Sequence, residues 1–154
     1  MSNPTKKSID VLNNLLEINN DRIEGYVRAS QETVEPDLKD VFSQFAEDSR
    51  KCKQELTAEV QKLGGTPVEG TRTSGKFYRA WMDVKAALTK KDRKVILSSC
   101  EFGEDVAKKN YEDALKEENL LPELHELVSK QFEIIKSGHD KVKGLRDVLV
   151  DVHA

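Results

Sequence analysis

Glu101, Glu104 and Asp105 lie close together in the stretch from Cys100 to Leu115, and Glu104 is the residue whose position asks for chemistry. At about 100° per residue, Leu97, Cys100, Gly103, Ala107, Tyr111 and Ala114 form one apolar stripe of a helix, and Glu104 falls inside it. A carboxylate on an apolar face requires a partner, a proton or a metal. The metal possibility has a defined form in helical bundles. One Glu from each of two helices and a Glu-x-x-His pair from each of the other two project inward at one level. Hard divalent cations prefer oxygen ligands with a few imidazoles, and a buried carboxylate cluster persists only when cations neutralise it.

The elements that would position these residues follow from periodicity. From Asn3 to Val34, residues Ile9, Leu12, Leu15, Leu16, Ile23 and Val27 recur at helical spacing, and Asn3-Pro4 is a start signal. Glu35-Pro36 closes that helix and opens a second, to Leu63, with Leu38, Val41, Phe42, Phe45, Leu56, Val60 and Leu63 on one face and Gly64-Gly65 as its stop. The short link makes the two antiparallel. Between Gly64 and Lys91 the chain is rich in Gly, Thr, Pro and Ser and carries a shorter amphipathic piece, Gly75 to Leu88, with Phe77, Trp81, Val84 and Leu88. That length can travel a whole bundle, so it reads as a crossover. A third long helix begins near Asp92, a capping residue type, and runs to about Glu118. After Asn119 and Pro122 a fourth reaches about Val150, with Leu124, Val128, Ile135, Val142, Leu145 and Leu149 inward. Short, long and short connections predict a single all-α domain over residues 1–154, a four-helix bundle with one crossover containing a short helix.

Counting residues from the shared helix ends places Glu104 level with Asn19 to Arg22, with Ser49, and with Gln131 to Gly138. The inward set at this height is Asn19, Arg22, Ser49, Cys52, Glu104, Gln131, Ile135 and Gly138. Where Glu-x-x-His pairs would be needed, the second and fourth long helices offer Ser49-x-x-Cys52 and Ile135-x-x-Gly138. One carboxylate stands where at least four are wanted. The expected arrangement is therefore a salt bridge from Glu104 to Arg22, or to Lys53, with Tyr26 or Tyr111 donating a further hydrogen bond and Asn19 and Gln131 completing a buried polar cluster. The alternative is a metal, iron or manganese, on Glu101, Glu104 and His139. The helical phases oppose it, because Glu101 and Asp105 project away from the stripe's centre and His139 lies about 80° from the centre of its own. His125 and His153 lie near element ends. A third reading, a small-ligand carrier, predicts a cavity beside Glu104 and Tyr111.

Bulk composition excludes several classes. With 25 basic and 28 acidic residues spread through 154, the net charge of −3 gives no field for nucleic acid or an anionic membrane surface. No apolar run approaches a membrane span, and the polar start offers no signal core, so a cytoplasmic location is expected. Cys52 and Cys100, distant and without metal-ligand spacing, read as reduced buried thiols. Neither a P-loop nor a nucleophile elbow is present: Ser74-Gly75-Lys76 lacks the upstream glycine. Trp81 and Phe77 at helical spacing read as crossover residues packed on the bundle rather than a base-stacking platform. Val95, Phe102 and Val106 form a second apolar strip opposite the core stripe, which predicts a homo-oligomer.

Gly75-Lys76-Phe77-Tyr78-Arg79-Ala80-Trp81-Met82-Asp83-Val84-Lys85 in the crossover, Cys100-Glu101-Phe102-Gly103-Glu104-Asp105 with Tyr111 and Ala114-Leu115, and His139-Asp140-Lys141-Val142-Lys143 with Leu145-Arg146-Asp147 carry a resemblance. The chain resembles a bacterial family of four-helix-bundle proteins of unknown function within the ferritin-like superfamily. The resemblance implies a ferritin-like bundle and no particular reaction. Metal-binding members of that superfamily carry Glu and Glu-x-x-His ligands, and this chain departs from the pattern on three of its four long helices. The expectation is a non-enzymatic binding or structural protein, by superfamily analogy linked to stress, with no cofactor and with a protein or small-molecule partner. The alternative is a metal-binding oxidoreductase with an atypical carboxylate site.

Overall fold

Local chemistry at the helix ends sets where each element starts and stops. A computed structural model describes residues 3–71 and 75–153, with side chains placed for residues 4–71 and 78–148. The side chains of Phe77 and Leu149, the region around His153 and the Ser74-Gly75-Lys76 stretch lie outside the described side chains. Five helices and no strand occur among the described residues: α1 (Asn3–Glu32), α2 (Pro36–Lys62), α3 (Gly75–Lys90), α4 (Arg93–Lys116) and α5 (Pro122–His153). Pro36 occupies the first position of α2, where its missing N–H has no bond to lose, and Asp37 follows in the first turn beside the positive helix end. Gly64, at φ 84°, and Gly65, whose N–H donates to the Val60 carbonyl at 2.9 Å, close α2. Asp92 caps α4 by accepting the Val95 N–H at 3.2 Å.

The four long helices pack as an all-α bundle, and polar contacts fix their directions. Ser8 at the start of α1 bonds the chain at Asn119 and Leu121, beyond the end of α4. Arg22, later in α1, meets Glu104, earlier in α4, so these helices are antiparallel. Gln131 on α5 donates to the Cys52 carbonyl and to Glu55 on α2. Arg93, opening α4, holds Asp37 at 2.7 and 3.0 Å and Glu35 at 3.0 Å, beside the opening of α2. The starts of α2 and α4 therefore share one end of the bundle, and the described residues between α2 and α4 cross its length.

Two asparagines spaced seven apart steer the first half of that crossing along α1. Asn13 bonds the Thr66 carbonyl at 3.1 Å and the Val68 N–H at 2.9 Å, and Asn20 donates to the Gly70 carbonyl at 3.0 Å. The second half is α3, which packs on α4 and α1. Its Trp81 lies edge-on to Tyr26 with ring centres 4.7 Å apart and flat over Gly25, where a Cβ would fall 2.5 Å from the indole ring. Only glycine lets the indole approach α1 this closely.

The core runs through Leu12, Leu15, Ile18, Phe42, Leu56, Leu97, Val128 and Ile135, all fully buried. The inward line of α1 continues from Ile18 through Arg22, Tyr26 and Ala29, which corrects the sequence expectation for Ile23 and Val27: both are half-buried on the flank. The inward position of Arg22 follows from its height opposite Glu104, as the sequence count expects, and not from the apolar stripe. Val106 likewise packs against the core instead of sharing the exposed face of Val95 and Phe102, which are 45% and 47% exposed.

Candidate functional site

The centre of the bundle is a polar layer contributed by all four long helices. From α1, Arg22 donates through Nε to Glu104 Oε2 at 3.0 Å and through Nη2 to Glu104 Oε1 at 2.7 Å, a two-pronged pair with both side chains excluded from solvent. Its remaining prong, Nη1, donates to the Ser49 hydroxyl of α2. The guanidinium also lies over the rings of Tyr26 and Phe45, at 5.3 and 5.7 Å from their centres. From α5 comes Gly138: a Cβ there would stand 2.9 Å from Glu104 Oε1, so a bare backbone closes the layer where any side chain would press on the pair.

One turn away, a second relay extends from the same helices. Asn19 donates to the Tyr111 hydroxyl at 2.8 Å, Tyr111 donates to Gln131 Oε1 at 2.8 Å, and Gln131 reaches the Cys52 carbonyl at 3.2 Å. Tyr111 is thus engaged with Asn19 and Gln131 and does not donate to Glu104. The buried Tyr26 hydroxyl lies against Glu104 but makes no hydrogen bond of ordinary geometry among the described residues. Arg22 alone offers two parallel donors and a third to Ser49, which leaves the Glu104 oxygens already engaged. Lys53 is not its partner.

Burial alone would pull the Arg22 guanidinium down, but the adjacent Glu104 charge and its hydrogen bonds outweigh this and raise it further above its ordinary value. Loss of water, then the Glu104 charge, holds the Tyr26 hydroxyl well above the usual phenol range. Desolvation also raises Tyr111 and both thiols, Cys52 to about 12 and Cys100 further, with Glu104 adding to the latter. The cysteines are free and buried. An internal di-metal centre does not fit these residues, because the layer holds one carboxylate and a guanidinium fills the space that cations would need.

The alternative metal set is divided. Glu104 is held by Arg22, whereas Glu101 and His139 do come together, and their third neighbour is Asp105. His139 Nε2 lies 2.6 Å from Asp105 Oδ1, and its Nδ1 lies 3.2 Å from Asp140 Oδ1. Arg146 of α5 donates to Glu101 Oε2. Helical phase keeps Glu101, Asp105 and His139 off the core stripes, and the three meet at the helix borders instead. Glu101 and Asp105 are four apart and share the face of α4 that borders α5, and His139 occupies the matching border. That i, i+4 pairing was the available signal. His139 is 9% exposed, more enclosed than a surface position, while His125 near the start of α5 is exposed.

A groove of about 590 Å³ lies between α2 and α5, which touch over only a short stretch. Val41, Phe45, Ile134 and Gly138 make an apolar floor, and Asp40, Asp48 and Glu133 outnumber Lys141 along the rim. Such a surface accepts an apolar group next to a positive charge. Neither Glu104 nor Tyr111 lines it.

Fold and centre together define an all-α bundle organised around a buried arginine–glutamate pair. The model of a domain of unknown function, DUF2383, matches residues 7–117, well over half of the chain, and the protein belongs to that family. The match spans α1 to the end of α4, so Arg22, Glu101, Glu104 and Asp105 lie inside it and Gln131, Gly138 and His139 beyond it. No curated protein matches the chain.

Removing one partner of the central pair leaves the other charge buried. Glu104→Gln is expected to lower the unfolding free energy by roughly 3–5 kcal/mol, and Arg22→Met combined with Glu104→Leu by much less, since apolar replacement of both partners is often neutral. Urea denaturation of the single and double variants checks this, and equal losses would refute the coupling.

The thiols give a pH prediction. Because folding raises them from the ordinary 9.0, their contribution is fully present below that value and is lost as pH climbs from 9.0 past about 12. The urea midpoint should therefore fall on raising the pH from 8 to about 10.5. Native protein at pH 8 should leave an aromatic disulfide reagent unreacted, and unfolded protein should consume it at both cysteines. Rapid reaction of the native chain would contradict the burial.

Proposed function

We propose that this protein is a ferritin-like, non-enzymatic bundle of the cytoplasm that works by binding and assembly, with no metal centre in its interior. The observation that carries this reading is the Arg22–Glu104 pair, which occupies the mid-bundle height at which four-helix carboxylate proteins gather their metal ligands. The long crossover and the antiparallel helix pairs support the ferritin-like assignment. With the interior closed by side chains, the surfaces left for function are outside it. The acidic-rimmed groove between α2 and α5 supports a binding role, and the stress-related setting suggested by superfamily analogy is compatible with one.

The metal test separates this reading from the oxidoreductase alternative. Protein expressed without a histidine tag in iron- and manganese-supplemented medium should carry no iron or manganese whose retention depends on Glu104. Mass spectrometry of metal per chain, compared with the Arg22→Met/Glu104→Leu variant, reads this directly. One or two equivalents that vanish with Glu104 would overturn the proposal and direct work to oxygen chemistry.

We further propose that copies of the chain associate through the outer face of α4, where Val95 and Phe102 remain about half exposed. Sedimentation at high micromolar concentration should show a species larger than a monomer, converted to monomer by Phe102→Glu. A clean monomer of the wild-type chain would remove this part of the reading.

A further inference from the structure

We propose that Glu101, Asp105 and His139 form a divalent-cation site on the seam between α4 and α5, outside the central polar layer. One ligand atom from each of the three side chains lies within 4.8 Å of the others. Zinc ligands at about 2.0–2.2 Å from a shared ion lie about 3–4 Å apart. Closing the set therefore requires movement of about 1 Å, and Asp105, with its side chain 56% exposed, is free to supply it.

Three features go beyond simple proximity. The ligands come from two helices and mix two carboxylates with an imidazole, a donor set suited to first-row divalent cations. His139 already has the outer partner that metal-bound imidazoles use: Nδ1 faces the Asp140 carboxylate at 3.2 Å, which leaves Nε2 turned toward Asp105. The cation would replace the proton shared between Nε2 and Asp105. Glu101 is held through Oε2 by Arg146, itself bonded to Asp147 at 3.1 Å, which fixes the carboxylate at the seam.

Charge favours the same ion. The paired groups around the site are Glu101, Asp105, Asp140 and Asp147 against Arg146 and Lys136, the last 3.6 Å from Asp140. Leaving the imidazole aside, the carboxylates exceed the two cations by two negative charges, the charge of one divalent cation. Asp105 forms the solvent side, so the remaining coordination positions face water, the open arrangement of a site that exchanges its ligands.

Titration calorimetry of the full chain with Zn²⁺ tests the site, with Co²⁺ absorption reporting the imidazole. Wild-type protein should bind close to one equivalent. Asp105→Asn, at an exposed position that leaves the fold intact, and His139→Ala should each weaken binding at least tenfold, with thermal melts of the metal-free proteins confirming that both are folded. His125→Ala, which removes an exposed histidine elsewhere, should bind as wild type does. Absence of stoichiometric zinc, or affinity unchanged in Asp105→Asn, overturns the site and leaves a plain histidine–aspartate pair. Binding retained in Arg22→Met/Glu104→Leu but lost in Asp105→Asn places the ion on the seam. The opposite pattern refutes both this site and the metal-free interior.

Discussion

A single buried charge pair constrains how the four long helices sit. Arg22 and Glu104 are both withdrawn from water, and neither is tolerable alone, so α1 and α4 must meet at one height and one rotation. The third guanidinium prong then requires Ser49 from α2, and the carboxylate requires the bare backbone of Gly138 from α5. Register among helices is otherwise weakly specified, because a leucine can exchange one apolar neighbour for another. A two-pronged bond with fixed distances removes that freedom.

The same layer balances its own buried charge. A cluster of acids in a bundle core needs cations, and this chain supplies one from its own side chains. Tyr26 and Phe45 close over the guanidinium, and Phe42 stacks on Tyr26 at 5.6 Å, so aromatic rings cover the pair on one side. The neighbouring Asn19–Tyr111–Gln131 relay uses neutral groups and needs no compensation. What remains adaptable is peripheral: the acidic-rimmed groove between α2 and α5, the apolar outer face of α4, and the carboxylate–histidine seam.

Much of this architecture is legible in the residues. Pro36, Gly64, Asp92 and Pro122 mark helix ends by backbone chemistry that acts locally, and the observed helices begin or end beside each. Counting at a fixed rise along antiparallel rods placed Arg22, Ser49, Glu104 and Gly138 at one height, because helix rise is the same in every sequence. Rotation was less secure. Ile23 and Val27 looked inward by hydropathy, yet the inward line passes through Arg22 and Tyr26, and hydropathy cannot know that a charged residue has a partner on another helix.

Sequence by itself therefore determined the all-α class, the helix boundaries, the crossover and the carboxylate on the apolar stripe of α4, since these depend on periodicity, caps and rise within single segments. Tertiary structure decided the partners. Of the two cations the sequence offered, it gave Glu104 to Arg22, and it turned Tyr111 to Asn19 and Gln131, because hydrogen bonds depend on rotamers and on distances between helices. It also joined Glu101 and Asp105 to His139 across a seam, a meeting of two helix borders that no single helix's stripe contains.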